Sequence, residues 1–340
     1  MASPLISVIV PVRNERVWIE GFLDGVFSQQ GITELEVIIA DGQSDDGTKE
    51  LLHQRAQADG RLVVLANERK IVSTGLNAAI RAARGDIIVR MDVHTEYAPD
   101  YIARCVAVLE ATGADNVGGP WRAKGSGYLQ SAITLAFQSP FSSGGAGSRR
   151  TAHEGPVDSV YLGCWRRDTL LRVGLFDEEL VRNQDDELNL RLIRGGGMIW
   201  QSPTIKSWYH PRSSLRMLMQ QYMQYGYWKV LVIQKHRLPA SIRHVVPGGF
   251  LGVLLLLALI APFSRVALAL LLVLVALYAA VNLGAAVLTC GNRGNWRYLA
   301  CMPAVFWIFH FGYAWGFLRG VFDFMLLRGR GRDHYARLTR

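Results

Sequence analysis

Over the first hundred residues, short runs of β-branched and other apolar residues alternate with stretches of helical spacing. Ile6–Pro11, Leu35–Ala40, Arg61–Ala66 and Asp86–Met91 read as strands, each bounded by turn-forming residues. Between them, Trp18–Gln29 sets Trp18, Phe22, Val26 and Phe27 near one helical face. Thr48 leads into a helix, Ser73 or Thr74 caps one that runs to Ala83 before Gly85, and Pro99 opens another to about Ala111. This alternation predicts an α/β fold with a parallel, doubly wound sheet, in which ligands bind outside the carboxyl ends of the strands. Gly113–Pro156 is looser and carries the Gly- and Ser-rich stretch Ser142–Ser148, which reads as a mobile loop. Order resumes at Ser159. Asp185–Arg194 reads as a helix, and Arg212–Gln234 as an amphipathic, aromatic-rich one.

Beyond about His244 long apolar runs take over. Val246–Ala261 gives roughly 22 Å of helix, short against a ~30 Å hydrocarbon core. Val266–Leu288 is long enough to cross and carries no formal charge, and the short Phe263–Arg265 link makes the pair a hairpin. Tyr298–Leu318 is a third run, less lipid-like because it is rich in aromatics and holds His310. It is expected to lie re-entrant or interfacial, or to double back through Gly312, so that the number of crossings is even. The expected organisation is a catalytic domain over 1–235, a membrane region over 236–327 and a basic tail over 328–340.

The net charge of +9 sharpens this picture, because many basic residues flank the apolar runs. Lys235, Arg237 and Arg243 precede them, and Arg328, Arg330, Arg332, Arg337 and Arg340 follow. That distribution fits an anionic cytoplasmic leaflet, not a nucleic-acid stripe. It predicts a multi-pass protein of the inner (plasma) membrane with its large N-terminal part in the cytoplasm. Cys105, Cys164, Cys290 and Cys301 show no paired spacing, so neither a disulfide framework nor a zinc knuckle is implied.

Chemistry concentrates at strand ends. Asp92-Val-His94 follows the fourth strand and places two metal-capable side chains on one turn. Such a turn either neutralises a diphosphate through a hard cation or is a capped turn with an incidental histidine. Asp41 follows the second strand, with Asp45 and Asp46 close behind; it is either an Asx turn or a carboxylate for a base or ribose. Gln184-Asp-Asp-Glu-Leu-Asn-Leu-Arg191 opens a helix with acidic residues, which either complement the helix dipole or supply a general base. Strand 1 is followed by Pro-Val-Arg-Asn-Glu and not by a Gly-x-Gly-x-x-Gly loop, which sets aside a dinucleotide-dependent oxidoreductase.

Taken in order, Ser7-Val-Ile-Val-Pro-Val-Arg-Asn-Glu15, Asp41-Gly-Gln-Ser-Asp-Asp-Gly-Thr48, Gly85–His94 and Gln184–Arg191 resemble the family 2 glycosyltransferases of GT-A fold over about residues 5 to 230. Within that family, Asp92–Tyr97, Asn77–Gly85 and the apolar C-terminal region are similar to the succinoglycan glucosyltransferase group. The resemblance implies a Rossmann-like mixed sheet that binds a nucleotide-sugar, with Pro11, Glu15 and Asp41 at the base and ribose and Lys70, Ser73 and Asn77 lining the same pocket. It implies Asp92 and His94 as holders of Mg2+ or Mn2+, His94 standing where the family's D-x-D has its second acid, and Asp185 as catalytic base. It also implies a UDP-sugar donor, a lipid-linked saccharide acceptor and a role in exopolysaccharide synthesis. Gln221–Trp228 lacks the arginine of the processive Q-x-x-R-W pattern, which implies single addition. Arg149 or Arg150 would meet the diphosphate as the 142–150 loop closes, and Arg212–Gln234 would bring acceptor hydroxyls along the membrane surface to Asp185.

Overall fold

The structure, a computed structural model, describes residues 5–239, 241–327 and 335. The expected basic tail over 328–340 therefore falls outside the described residues except at Tyr335. In chain order the first half holds β1 (Ile6–Val12), α1 (Ile19–Phe27), β2 (Leu35–Asp41), α2 (Thr48–Ala58), β3 (Leu62–Ala66), α3 (Val72–Ala82), β4 (Ile87–Arg90), β5 (Thr95–Tyr97), α4 (Tyr101–Thr112) and β6 (Asn116–Gly119). There follow α5 (Gly127–Phe137), α6 (Pro140–Ser143), β7 (Gly155–Pro156), β8 (Tyr161–Arg166), α7 (Arg167–Val173), α8 (Gln184–Arg194), β9 (Ile199–Gln201) and β10 (Ser207–Tyr209). The C-terminal part is helical: α9 (Leu215–His236), α10 (Val246–Ile260), α11 (Arg265–Gly291), α12 (Met302–Trp307) and α13 (Tyr313–Gly320).

The chain forms two compact units, one over 1–122 and 147–209, the other over 123–146 and 210–340. This differs from a boundary near 235: residues 123–146 and α9 group with the C-terminal helices. Hydropathy along the chain marks where apolar runs begin. It does not show which earlier segment packs on them.

The first unit is built on an eight-stranded sheet in the order β3-β2-β1-β4-β8-β6-β9-β7. The first four strands in that order are parallel, as the strand–helix alternation predicts. The sheet as a whole is mixed, because β8 lies antiparallel between β4 and β6. Strand periodicity reports which residues are buried but not the direction in which a strand runs, so the alternation alone leaves this insertion unseen. Both faces are covered. Val8, Val10 and Val12 enter the core on one side with Ile19, Leu23 and Ile102, and Ile9 enters the other with Leu76, Ile80 and Leu188. Each fully buried Val or Ile contributes roughly 1.5–3 kcal/mol against exposure. The rigid centre of the sheet thus fixes where the carboxyl ends of β1, β2 and β4 stand.

In the second unit, α5 replaces part of the expected loose segment. The Gly and Ser residues around it break the pattern at its ends, while Ala132, Ile133, Leu135 and Ala136 are buried along it. The third apolar run is helical from Met302 to Leu326, with π-helical turns at Ile308–Gly312 and Val321–Leu326. The chain does not reverse at Gly312, where φ is −60°. Gly312, Gly316 and Gly320 instead form a seam against α9. A Cβ on Gly316 would lie 1.9 Å from the Met223 carbonyl oxygen, and one on Gly320 2.7 Å from that of Tyr227. Small residues four apart let two helix backbones meet, the arrangement common between membrane helices. Val246–Phe263 and Arg265–Gly291 are each long and apolar enough to cross a membrane, and most of their side chains are exposed.

Candidate active site

The loop after β1 and the loop after β2 are stitched together by the acidic residues between them. Asn14, with a left-handed φ of 57°, donates from its backbone to Ser44 Oγ at 2.8 Å and from its side chain to Asp45 at 2.9 Å. Arg16 N donates to Asp46 at 3.1 Å, and Glu15 N to Thr48 Oγ1 at 2.8 Å. Asp45 and Asp46 are thus committed to loop geometry. Asp41, buried at the end of β2, takes both the backbone N–H and the hydroxyl of Ser44, the latter at 2.5 Å. The turn expected at Asp41 is present, and it fixes the orientation of the carboxylate. Pro11 lies in β1, paired with Ala40 of β2 next to Asp41.

Asp92 follows β4 on a turn held by Tyr97, whose hydroxyl accepts from Asp92 N at 2.7 Å and donates to Asp92 O at 3.1 Å. Two residues on, His94 Nε2 lies 2.8 Å from Glu15 Oε2. The Trp18 ring stands edge-on to the imidazole with centroids 5.8 Å apart. Glu15 is therefore drawn to His94, on the Asp92 turn. Among the described residues no three His, Cys, Asp or Glu side chains are grouped to enclose a cation. Asp92 and His94 are the two side chains of that turn that could hold a divalent cation, with diphosphate oxygens and water completing its shell; Asp92 also meets Arg90 at 3.3 Å.

Sequence reasoning missed Arg90. It is 5% exposed in β4, and its guanidinium binds Asp185 at the start of α8 and reaches Asp92 at 3.3 Å. Burial works against its charge, but the Asp185 and Asp92 carboxylates outweigh it and hold the group firmly protonated. Burial carries the Asp185 carboxyl up to about 6; Asp92 and Asp186 add to that rise, and Arg90 opposes it. The signal was present in the chain: a lone cation inside the apolar strand Ile87-Ile-Val-Arg90 requires a buried partner.

Other expected residues have different surroundings. Ser73 Oγ donates to Leu180 O at 3.1 Å, and the Asn77 side chain both donates to Phe176 O and accepts from Phe176 N. These contacts clasp the 176–180 segment onto α3. Lys70 closes a turn with Asn67 at a left-handed φ of 61°. The α3 N-terminus is not side-chain capped, since Thr74 bonds back to Asn67 and Ile71. The expected 142–150 loop is divided between the two units; its 147–149 part is a 3-10 turn whose Ser148 carbonyl accepts from Trp121 N at 2.9 Å.

The family model described as glycosyl transferase family 2 matches residues 7–168. The succinoglycan biosynthesis protein ExoA of Rhizobium meliloti is 31% identical over 320 residues, which cover 93% of this chain and 95% of that protein. A dolichyl N-acetyl-alpha-D-glucosaminyl phosphate 3-beta-D-2,3-diacetamido-2,3-dideoxy-beta-D-glucuronosyltransferase of Methanococcus voltae is 27% identical over 74% of this chain and 80% of its own length. Among solved structures, the mannosyltransferase PcManGT of Pyrobaculum calidifontis, in complex with GDP-Man and Mn2+, shares the fold at a TM-score of 0.62. It is 19% identical, and the match covers 95% of this chain and 88% of that one.

Proposed function

Because the chain belongs to glycosyl transferase family 2, we propose that it is an inverting hexosyltransferase that moves glucose from UDP-glucose to a polyprenyl-diphosphate-linked saccharide in exopolysaccharide synthesis. The observation that carries the reading is the Asp185–Arg90–Asp92 chain at the carboxyl end of β4. Its support for the reading is that one buried arginine pairs with both carboxylates, Asp185 for proton abstraction and Asp92 for the donor's side of the reaction. Asp41, Pro11 and the loop they anchor take the base and ribose. Ser73 and Asn77 are left out of that pocket, since their polar atoms serve the 176–180 clasp. Asp185 takes the proton from an acceptor hydroxyl, whose oxygen attacks the anomeric carbon from the face opposite the leaving diphosphate. A divalent cation, Mg2+ or Mn2+, held by Asp92 and His94 would neutralise charge on that diphosphate. The Asp185 carboxyl, pushed up to about 6 by burial, supports a hydroxyl acceptor over a lipid phosphate, because phosphate is already ionised and needs no base of this kind.

The test is a screen of nucleotide-sugars on the full chain in detergent with lipid-linked saccharide, reading nucleotide release. UDP-glucose is expected to turn over fastest. Another sugar in that place would correct the donor, and no turnover with any donor would sink the transferase reading.

The two exposed apolar helices support membrane association. We place the protein in the inner membrane as a multi-pass chain, with its N-terminal unit in the cytoplasm where nucleotide-sugars are made. The link between α10 and α11 then lies on the far side. Phe263 in that link is 90% exposed. In sealed vesicles, Phe263→Cys is expected to react with a membrane-impermeant thiol reagent from the non-cytoplasmic side, and His53→Cys only after lysis. Reaction of Phe263→Cys from the cytoplasmic side would overturn the hairpin.

A further inference from the structure

We infer that Glu15 and His94 work as one cation-holding unit, with His94 Nδ1 as the ligand atom and Glu15 as the positioning residue behind it. The inference rests on the nucleotide-sugar reading of the site. It gives Glu15 a task other than contact with the base or ribose.

The Glu15 side chain is 2% exposed and that of His94 46%, with 2.8 Å between Oε2 and Nε2. A carboxylate that deep is stable only among donors, and the imidazole Nε2 stands within hydrogen-bond reach of it. With Nε2–H given to Glu15, a neutral ring keeps its lone pair on Nδ1. The edge contact from Trp18 holds the ring from a second direction. The backbone on either side of Glu15 is pinned. Its N–H goes to Thr48 Oγ1, and its carbonyl accepts from Trp18 N and Ile19 N, both at 2.9 Å. An imidazole whose second nitrogen is tied to a carboxylate is the usual state of a metal-bound histidine, because the carboxylate fixes both tautomer and ring orientation. Charge points the same way. A pair of acids around a divalent cation carries two negative charges; Asp92 and His94 alone carry one, and Glu15 one bond behind the imidazole restores the second.

The experiment uses the full chain in detergent, with Mn2+ as probe, UDP as the nucleotide, and free Mn2+ read by electron paramagnetic resonance. Glu15→Gln keeps the shape and removes the charge, and is expected to weaken Mn2+ binding in the presence of UDP by about 10-fold or more, the range for loss of such a supporting carboxylate. In a His94→Asp background, where no imidazole needs orienting, the same Glu15→Gln change is expected to cost no more than about twofold. Equal losses in the two backgrounds would overturn the pairing and return Glu15 to direct contact with the nucleotide. The wild-type chain gives a reading that does not depend on any Glu15 variant folding. In proton–nitrogen spectra of chain with labelled histidine, the resonance absent from His94→Asp should show the Nε2–H tautomer, and Mn2+ with UDP should broaden it ahead of the other histidines. The opposite tautomer overturns the inference. Wild type that binds no Mn2+ with UDP, GDP or ADP, yet turns over a nucleotide-sugar in chelator, overturns the pair's role and leaves the transferase reading standing. Loss of both would remove the transferase reading as well.

Discussion

Asp185→Asn is expected to lower kcat by about 10²-fold or more, the usual worth of a positioned proton transfer, and to change donor affinity by less than about twofold. The asparagine keeps the size of the side chain and its place at the start of α8. It weakens the ion pair with Arg90 to a hydrogen bond to a neutral amide, and it cannot accept a proton from the acceptor. The pH dependence carries the same signature. The carboxyl is pushed up to about 6 by burial, helped by Asp92 and Asp186 and opposed by Arg90. A base works only when ionised, so kcat is expected to fall as pH drops through about 6 and to level off above it. Neutralising Asp92 with a bound cation removes one contribution to the rise, so this acid limb should lie at lower pH in saturating than in limiting Mn2+. Asp185→Asn should lose the limb altogether. A crippled Asp186→Asn beside an active Asp185→Asn would move the base by one residue. Full activity in both variants would favour an acceptor that is already ionised, such as a lipid phosphate.

The sequence showed most clearly those parts of the fold whose burial is one-dimensional. β1, β2 and β4 are apolar runs between turn residues, and the structure has them within a residue or two of the expected ends. The insertion of β8 was not legible, because its direction is set by pairing with β4 and β6 and not by its own pattern. Nor was α5, whose flanking glycines and serines hid an apolar segment that belongs with the C-terminal helices. In the third apolar run Gly312 read locally as a turn, whereas its spacing of four with Gly316 and Gly320 is a packing signal that needs α9 opposite to make sense. The site divides in the same way. Asp41, Asp92, His94 and Asp185 are visible as strand-end and helix-start polar residues. Their partners are not, since the bond from Glu15 to His94 crosses from one loop to another, and that from Arg90 to Asp185 spans 95 positions of chain.

Arg90→Met is expected to reduce kcat/KM by about 10²-fold, the cost of displacing a catalytic group by a fraction of its working distance. Arg90 is buried at the end of β4 and its guanidinium meets Asp185 and Asp92 together. Methionine fills much of the same volume, so the apolar stem is replaced while the fork is lost. Two carboxylates then face each other without a cation between them, and each is free to turn toward water. Arg90→Lys should recover little, because an ammonium is a point charge and cannot engage both partners in the plane of a fork. Arg90 also opposes the upward shift of Asp185, so its loss should move the acid limb of kcat to higher pH, a change that a general loss of folded protein would not produce. The decisive comparison is a cycle with Asp185→Asn. If Arg90 acts by holding the base, its removal from the Asp185→Asn enzyme should cost less than about 10-fold, because the group it positions no longer takes a proton. Losses that simply multiply would show that Arg90 acts through Asp92 and the donor instead, and donor affinity measured in the same variants would then fall in step with turnover.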